Sequence, residues 1–479
     1  MTSDGQEKTS LRKNALGWIS IVFLVIATNG PLTALVGGAP LAIGLGNGAG
    51  AAGTYVVIGV LYLIFSVGFC AMSRHIRNAG AFYAYIAHGL GRPFGIGGAF
   101  LAILAYNAML IACYAMIGFF LGYGIHAHFG IDVPWWVCAL GAMTVVFYFG
   151  YKNIEFSGRV LFALMLAEVL IILLLDASII GKSGAAALSV APFLPEHVFA
   201  HGFGPSIVFV VGSYMGFETT AIYAEEARDP SRSIPRATYA AVTIILVLYA
   251  ASVWLVTNAY GIPQAIAEAT KNPGDMWFVI TERYLGNSAA DATNILMITS
   301  LMAALISFHN TSSRYLFSLG RERIVWARFA ELHPVQQTPL FAGVAQIVIG
   351  VAIIAAAGIG GADAMLVVVP LASVPAAIGI VAVQAMTALA VIGFFVRDHR
   401  GISVWRRVVA PALSALGLFV CLYHVIRNVS LITGSTTWLS EALPWITLAV
   451  GGLGAMFACW LKNARPQLYS GLGRVLDEA

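Results

Sequence analysis

The sequence predicts an all-α polytopic membrane protein with twelve transmembrane helices. Three observations carry that expectation. Of the 479 residues, 59% are hydrophobic and only 10% are charged, whereas a soluble domain carries about 25% charged residues. Apolar runs recur along the whole length, each near or above the roughly 20 residues that cross a bilayer. The basic residues fall on one side of a twelve-span count. With the N-terminus inside, 22 of the 26 Lys and Arg lie on the cytoplasmic side, and only Lys182, Lys271, Arg283 and Arg427 lie outside. A missed or invented span would flip the later loops and spoil that asymmetry. Both termini are therefore expected in the cytoplasm of a multi-pass plasma-membrane protein.

Residues 1–17 form a polar tail with Lys8, Arg12 and Lys13. The apolar run that follows is too long for a signal peptide and lacks a small-residue cleavage site, so it reads as an uncleaved first span over 18–45. That span is interrupted at Asn29-Gly-Pro-Leu-Thr-Ala-Leu-Val-Gly-Gly-Ala-Pro40, because proline removes a helical donor and paired glycines loosen a helix. Span 2 covers 48–73, and the half-apolar segment 78–93 reads as an interfacial helix. Spans 3, 4 and 5 follow at 94–124, 133–151 and 158–181. Span 6, at 202–226, carries a second interruption, Gly212-Ser-Tyr-Met-Gly216. Span 7 covers 238–259, and the amphipathic loop 260–288 reads as short helices, either a lid or a passive surface. Spans 8 to 12 occupy 289–319, 339–358, 362–396, 407–428 and 441–461, before a polar tail over 462–479.

Interruptions in spans 1 and 6 divide the chain into two five-helix halves, 18–181 and 202–396. Five is an odd number, so the halves insert with opposite orientation. Paired Gly/Pro breaks of this kind point to a central site between the halves. Spans 11 and 12, over 407–461, lie outside the repeat.

Other chemistries find no support. The five cysteines fall within spans and show no CxxC spacing, so they read as small buried side chains rather than metal ligands or disulfides. His126, His128, His197 and His201 are scattered among outside loops. No HExxH or GxSxG motif is present. No cofactor, metal or nucleic acid is expected, and the net charge of +4 reflects the topological bias.

Four motifs resemble the amino acid–polyamine–organocation (APC) superfamily of secondary transporters. They are the broken span 1, Asn78-Ala-Gly-Ala-Phe-Tyr-Ala-Tyr85, Gly216-Phe-Glu218 running through Glu225-Glu-Ala-Arg-Asp-Pro230 to Ile234-Pro-Arg236, and Arg314-Tyr-Leu-Phe-Ser-Leu-Gly-Arg321. The third is specific and the others support it. The resemblance implies a LeuT-type five-plus-five inverted repeat, alternating access, and a substrate held between spans 1, 3, 6, 8 and sometimes 10. The substrate it implies is an amino acid or amine, often moved with protons. A polyamine carrier would need acids to balance two or more ammonium groups, and span 1 has none. Exchange, and a membrane sensor that does not transport, are alternative readings, and both a monomer and a homodimer fit.

Opening span 1 would free backbone N–H groups near Gly37 and Gly38 for a substrate carboxylate. Thr33, Ala34 and Leu35 would offer carbonyls, and Ser213 to Gly216 would offer carbonyls to an ammonium. The resemblance adds a side-chain pocket drawn from Tyr106, Asn107, Tyr214, Phe217 and Phe308. Glu218 is open between pairing with an amine and holding span 6 by buried hydrogen bonds. Glu168, mid-span, is a candidate proton carrier. Several proton-coupled relatives have a lysine near this position, where sodium sits in sodium-coupled ones. A permanent bond to a helix donor is its alternative role. His309 is a second titratable candidate, and the fold the resemblance implies brings it near Glu168. Hydroxyls of Thr311, Ser312 and Ser313 leave sodium open behind protons. Glu225, Glu226 and Arg228 are expected at an inner gate.

Overall fold

A computed structural model describes residues 17–76, 82–152, 158–225, 227–333 and 338–471. Among them the regular elements are helices. The first is α1 (Trp18–Asn29), ended by Gly30, whose φ of 65° is the left-handed conformation that closes many helices. The chain resumes with a π-helical turn, Thr33–Gly38, and further helical turns to Gly50. Next come α2 (Ala51–Ser73), α3 (Phe82–Gly89), α4 (Arg92–Phe129), α5 (Trp135–Lys152) and α6 (Gly158–Ser183). The second half opens with α7 (Phe203–Tyr214), a positive φ of 114° at Gly216, and a 3-10 helix, Phe217–Glu225. It continues through α8 (Pro230–Tyr260), α9 (Ile262–Lys271), α10 (Met276–Leu285) and α11 (Asn287–Arg321). The last long helices are α12 (Leu340–Ile359), α13 (Val369–Arg397), α14 (Ala410–Arg427) and α15 (Trp438–Ala464).

Nine stretches among the described residues are long and apolar enough to cross a membrane. The first of them, Trp18–Ser73, contains both of the first two expected spans in 56 residues. Its direction changes at Gly46, whose backbone is not helical (φ −101°, ψ −139°). The segments expected as spans 4 and 6 are helical, as α5 and as the broken pair α7 plus Phe217–Glu225, but are not among those nine. In a bilayer each backbone polar group must be satisfied internally, which is why long apolar segments become helices.

Burial shows which way the helices face. On α6, Leu166, Leu170, Leu173 and Leu174 are each about half exposed, whereas Glu168 is 4% exposed. That spacing gives one apolar outer stripe and turns the carboxylate inward. Segment 78–93 supplies α3, with residues 77–81 outside the described set. The Tyr83 hydroxyl of α3 donates to Glu322 Oε2 at 2.7 Å, tying α3 to the chain just after α11. The loop 260–288 forms α9 and α10. Helix α9 seats on the end of the broken first helix, where Thr270 Oγ1 donates to the Gly44 carbonyl at 3.3 Å.

Candidate functional site

The two breaks face one another. Asn29, the last residue of α1, donates from Nδ2 to the Met215 carbonyl at 3.2 Å, and its Oδ1 accepts from the Tyr249 hydroxyl of α8. One amide side chain therefore ties the end of α1 to the residue before Gly216. A Cβ at Gly216 would lie 3.3 Å from Thr28 Cγ2, so the second break also sits against the first. Ser307 Oγ of α11 donates to Thr28 Oγ1 at 3.2 Å, which adds a third helix.

Beside this junction lies a cavity of about 40 Å³. Its polar wall is Asn29, Thr33, Ser213 and Ser373. Its apolar wall includes Met109, Cys113, Met116, Val208, Phe209 and Phe308. Gly38, Ala34 and Gly212 let backbone approach the space. No charged side chain is among the described residues that line it. The Ser213 hydroxyl is held between the Phe209 carbonyl at 3.0 Å and the Tyr55 hydroxyl at 2.9 Å. Such a wall suits a solute without net charge, because an unpaired ion would lose its hydration uncompensated.

Four of the expected binding residues line this cavity: Thr33, Gly38, Ser213 and Phe308. Ala34, expected to offer its carbonyl, lines it as well. The others stand elsewhere, for identifiable reasons. Tyr214 donates to the Tyr55 carbonyl at 2.9 Å and packs on Tyr62. Phe217 packs on Tyr62, Phe65 and Phe69 in the aromatic core of α2. Tyr106 donates to Glu218 Oε1 at 2.6 Å. Asn107 donates to the Ile103 carbonyl at 2.8 Å and contacts Ser312 Oγ at 3.4 Å. Leu35 is fully buried behind the wall. Asn29, Met109, Met116 and Ser373 escaped sequence reasoning. Only Asn29 carried a signal, its place directly before Gly-Pro.

The opening in the first helix lies at Gly30, not at Gly37 and Gly38, which belong to the π-helical turn. Gly30 alone leaves the helical conformation, the helix resumes at Pro31, and the Leu32 N–H in its first turn donates to Glu168 Oε2 at 3.4 Å. Thus Glu168 of α6 caps the second half-helix, the position where a helix N-terminus attracts an anion. The Ser300 hydroxyl neighbours the same carboxylate and accepts from Thr33 Oγ1 at 3.2 Å. Glu218 takes two donors, Tyr106 and the Gly216 N–H at 3.0 Å, within its own break. Glu168 and Glu218 are therefore both engaged in holding broken helices.

His309 does not join Glu168. Ser300, which neighbours Glu168, and His309 are nine residues apart on α11, which places them about half a turn out of register. His309 faces Gly150 of α5 and Gly343 of α12 instead. Arg228 is exposed, while Glu226 and the side chain of Glu225 lie outside the described residues. No group of three or more metal-ligating side chains occurs among the described residues.

Comparison with known proteins adds an independent line. A sequence model of the amino acid permease family matches residues 22–460. The gamma-aminobutyric acid permease of Bacillus subtilis is 27% identical over 322 residues, covering 62% of this chain and 64% of the relative. A lysine-specific permease of Lactococcus lactis is 26% identical over 296 residues, covering 57% and 56%. A branched-chain amino acid permease of Bacillus subtilis is 23% identical over 371 residues, covering 67% and 75%. The match spans less than two thirds of the length of the first two relatives.

Proposed function

Because the chain belongs to the amino acid permease family, we propose that it imports an amino acid by alternating access. The observation that carries the substrate class is the cavity wall between the two breaks. It is uncharged among the described residues, with hydroxyl and amide groups on one side and Met, Cys and Phe on the other. A zwitterion with an uncharged, apolar side chain fits that division: backbone and hydroxyls meet its α-groups, and the thioethers and rings meet its side chain. Met109 and Met116 are flexible enough to repack around side chains of different shape. An amine or polyamine carrier is less well supported, because Glu168 and Glu218 are already committed to backbone N–H groups.

Twelve crossings in two inverted halves, with both termini in the cytoplasm of the plasma membrane, are part of this reading. The paired breaks and the basic-residue asymmetry support it. Protons are the proposed coupling ion. Ionised Glu168 holds Leu32 N–H by a charge-assisted bond, and a proton on the carboxyl would weaken that hold on the half-helix. Sodium is the less favoured ion, since the hydroxyls at the break are paired with one another, Thr33 with Ser300 and Ser307 with Thr28.

Counterflow of labelled amino acids in proteoliposomes tests the proposal. Unlabelled leucine, phenylalanine or methionine should drive uptake, and lysine and putrescine should not compete. Competition by putrescine alone would replace this reading with an amine carrier. Saturable binding without counterflow would make the protein a sensor.

A further inference from the structure

Outside the central cavity, three buried polar atoms without hydrogen-bond partners belong to residues that line one small space. They are the Tyr114 hydroxyl of α4, His309 Nδ1 of α11 and Gln346 Oε1 of α12. All three residues line the same cavity of about 10 Å³. A space of roughly 10–15 Å³ holds one water, and a buried water typically makes about three hydrogen bonds. Three orphaned atoms on three helices would be improbable as unrelated defects, since each costs about 1–3 kcal/mol when left unpaired. The Gln346 amide is fixed from its other end, where Nε2 donates to Ser313 Oγ at 2.9 Å.

The opposite edge of the same imidazole meets a larger space. A cavity of about 210 Å³ between the ends of α5, α11 and α12 is lined by His309, Asn310, Ser313, Arg314 and Tyr151 among others. Two glycines admit the ring to it. A Cβ at Gly150 would lie 3.2 Å from His309 Nε2, and one at Gly343 would lie 3.3 Å away. The ring itself is 3% exposed. His309 thus separates a water-sized polar pocket from a roomy polar one.

We propose that Tyr114, His309 and Gln346 form a built site for one structural water, which makes His309 a proton-accepting residue addressed from the larger cavity. The water accepts from His309 Nδ1–H and from the Tyr114 hydroxyl, and donates to Gln346 Oε1. That leaves the Nε2 lone pair facing the larger cavity. A proton arriving there adds to Nε2 and produces the imidazolium while the buried bonds stay as they were. Among the described residues, the titratable and charged side chains facing the ring are Tyr114 from α4, Tyr151 from α5 and Arg314 from α11, while α12 contributes the neutral Gln346. This site lies across α11 from Glu168 and stands independently of the substrate class.

Two measurements on the full-length protein decide it. A cryo-EM map that resolves waters should show one within hydrogen-bonding distance of all three atoms. Side chains paired with protein groups instead, and no density between them, would overturn the water site. Deuterium exchange at histidine Cε1, read by mass spectrometry, reports solvent access and titration together. His309 should exchange with a sigmoidal pH profile, within about tenfold of the exposed His126 and His128. Absence of exchange at His309, with normal exchange at those two, would overturn the proton-accepting role. Gln346→Leu should lose the water density, while His309 keeps its exchange.

Discussion

At the residue scale, one contact ties α6 to the first break: Glu168 Oε2 against the Leu32 N–H, at 3.4 Å. Glu168→Gln keeps an acceptor there and removes the charge and the exchangeable proton. Accumulation driven by a pH gradient in proteoliposomes should be abolished, while substrate-induced thermal stabilisation remains. Unchanged accumulation would take Glu168 out of coupling. Asn29 makes the complementary case. Asn29→Ala strips partners from the Met215 carbonyl and the Tyr249 hydroxyl, at a cost on the order of 1–3 kcal/mol per buried group left unpaired. A clear fall in melting temperature is expected, and an unchanged one would contradict the bridging role. The sequence exposed Glu168 because a carboxylate in an apolar run is conspicuous. The place of Asn29 before Gly-Pro marks a helix end, which it is, but says nothing of the partners its amide finds across the second break. Tyr106, Tyr214 and Phe217 do not line the cavity beside the breaks, and sequence does not say which side of a helix an aromatic ring occupies.

Breaks are the matter at the scale of elements. Both were legible as Gly/Pro interruptions; the first was read as the whole stretch Asn29 to Pro40, with its freed N–H groups near Gly37 and Gly38, and it opens at Gly30. The stretch offered two weak points, Gly30-Pro31 and Gly37-Gly38. Gly30 prevailed by adopting a φ of 65° as the cap of α1, and Pro31 follows well because it has no N–H to leave unsatisfied. The glycine pair instead makes room. A Cβ at Gly37 would meet Met116 Sδ at 2.9 Å, whereas one at Gly38 would meet only Ser213 Oγ, at 3.4 Å. Gly37→Ala should therefore be tolerated by movement of a flexible thioether, whereas Gly38→Leu should fill the cavity and block binding. Normal substrate affinity in Gly38→Leu would remove this cavity from recognition. Gly216→Ala is expected to destabilise the fold by about 1–3 kcal/mol, the usual cost of a strained backbone conformation, because Gly216 sits at a φ of 114°. A melting temperature equal to that of the parent protein would show that the second break relaxes freely.

For the whole molecule, the basic-residue asymmetry makes the most exposed commitment. Lys271 lies on α9, in the loop that seats on the broken first helix, whereas Lys462 ends α15. A two-half arrangement with twelve crossings puts them on opposite sides of the membrane. Eleven or thirteen crossings would alter the relation between the loop and the C-terminal tail. The five native cysteines can be replaced first; Cys70, Cys113, Cys138 and Cys421 are buried and Cys459 is exposed. Single cysteines at 271 and 462 should then react with a membrane-impermeant maleimide from opposite faces of intact cells, position 271 from outside and position 462 only after permeabilisation. Labelling of both from outside would break the inverted-repeat reading at its root, since the central cavity depends on α1 and α7 entering from opposite directions. Topology of this kind is legible in sequence because lipid and membrane charge act on whole segments. Pocket composition is not, because it depends on rotations of a few tens of degrees that long-range packing sets, as the displacement of Tyr214 into the α2 aromatic core illustrates.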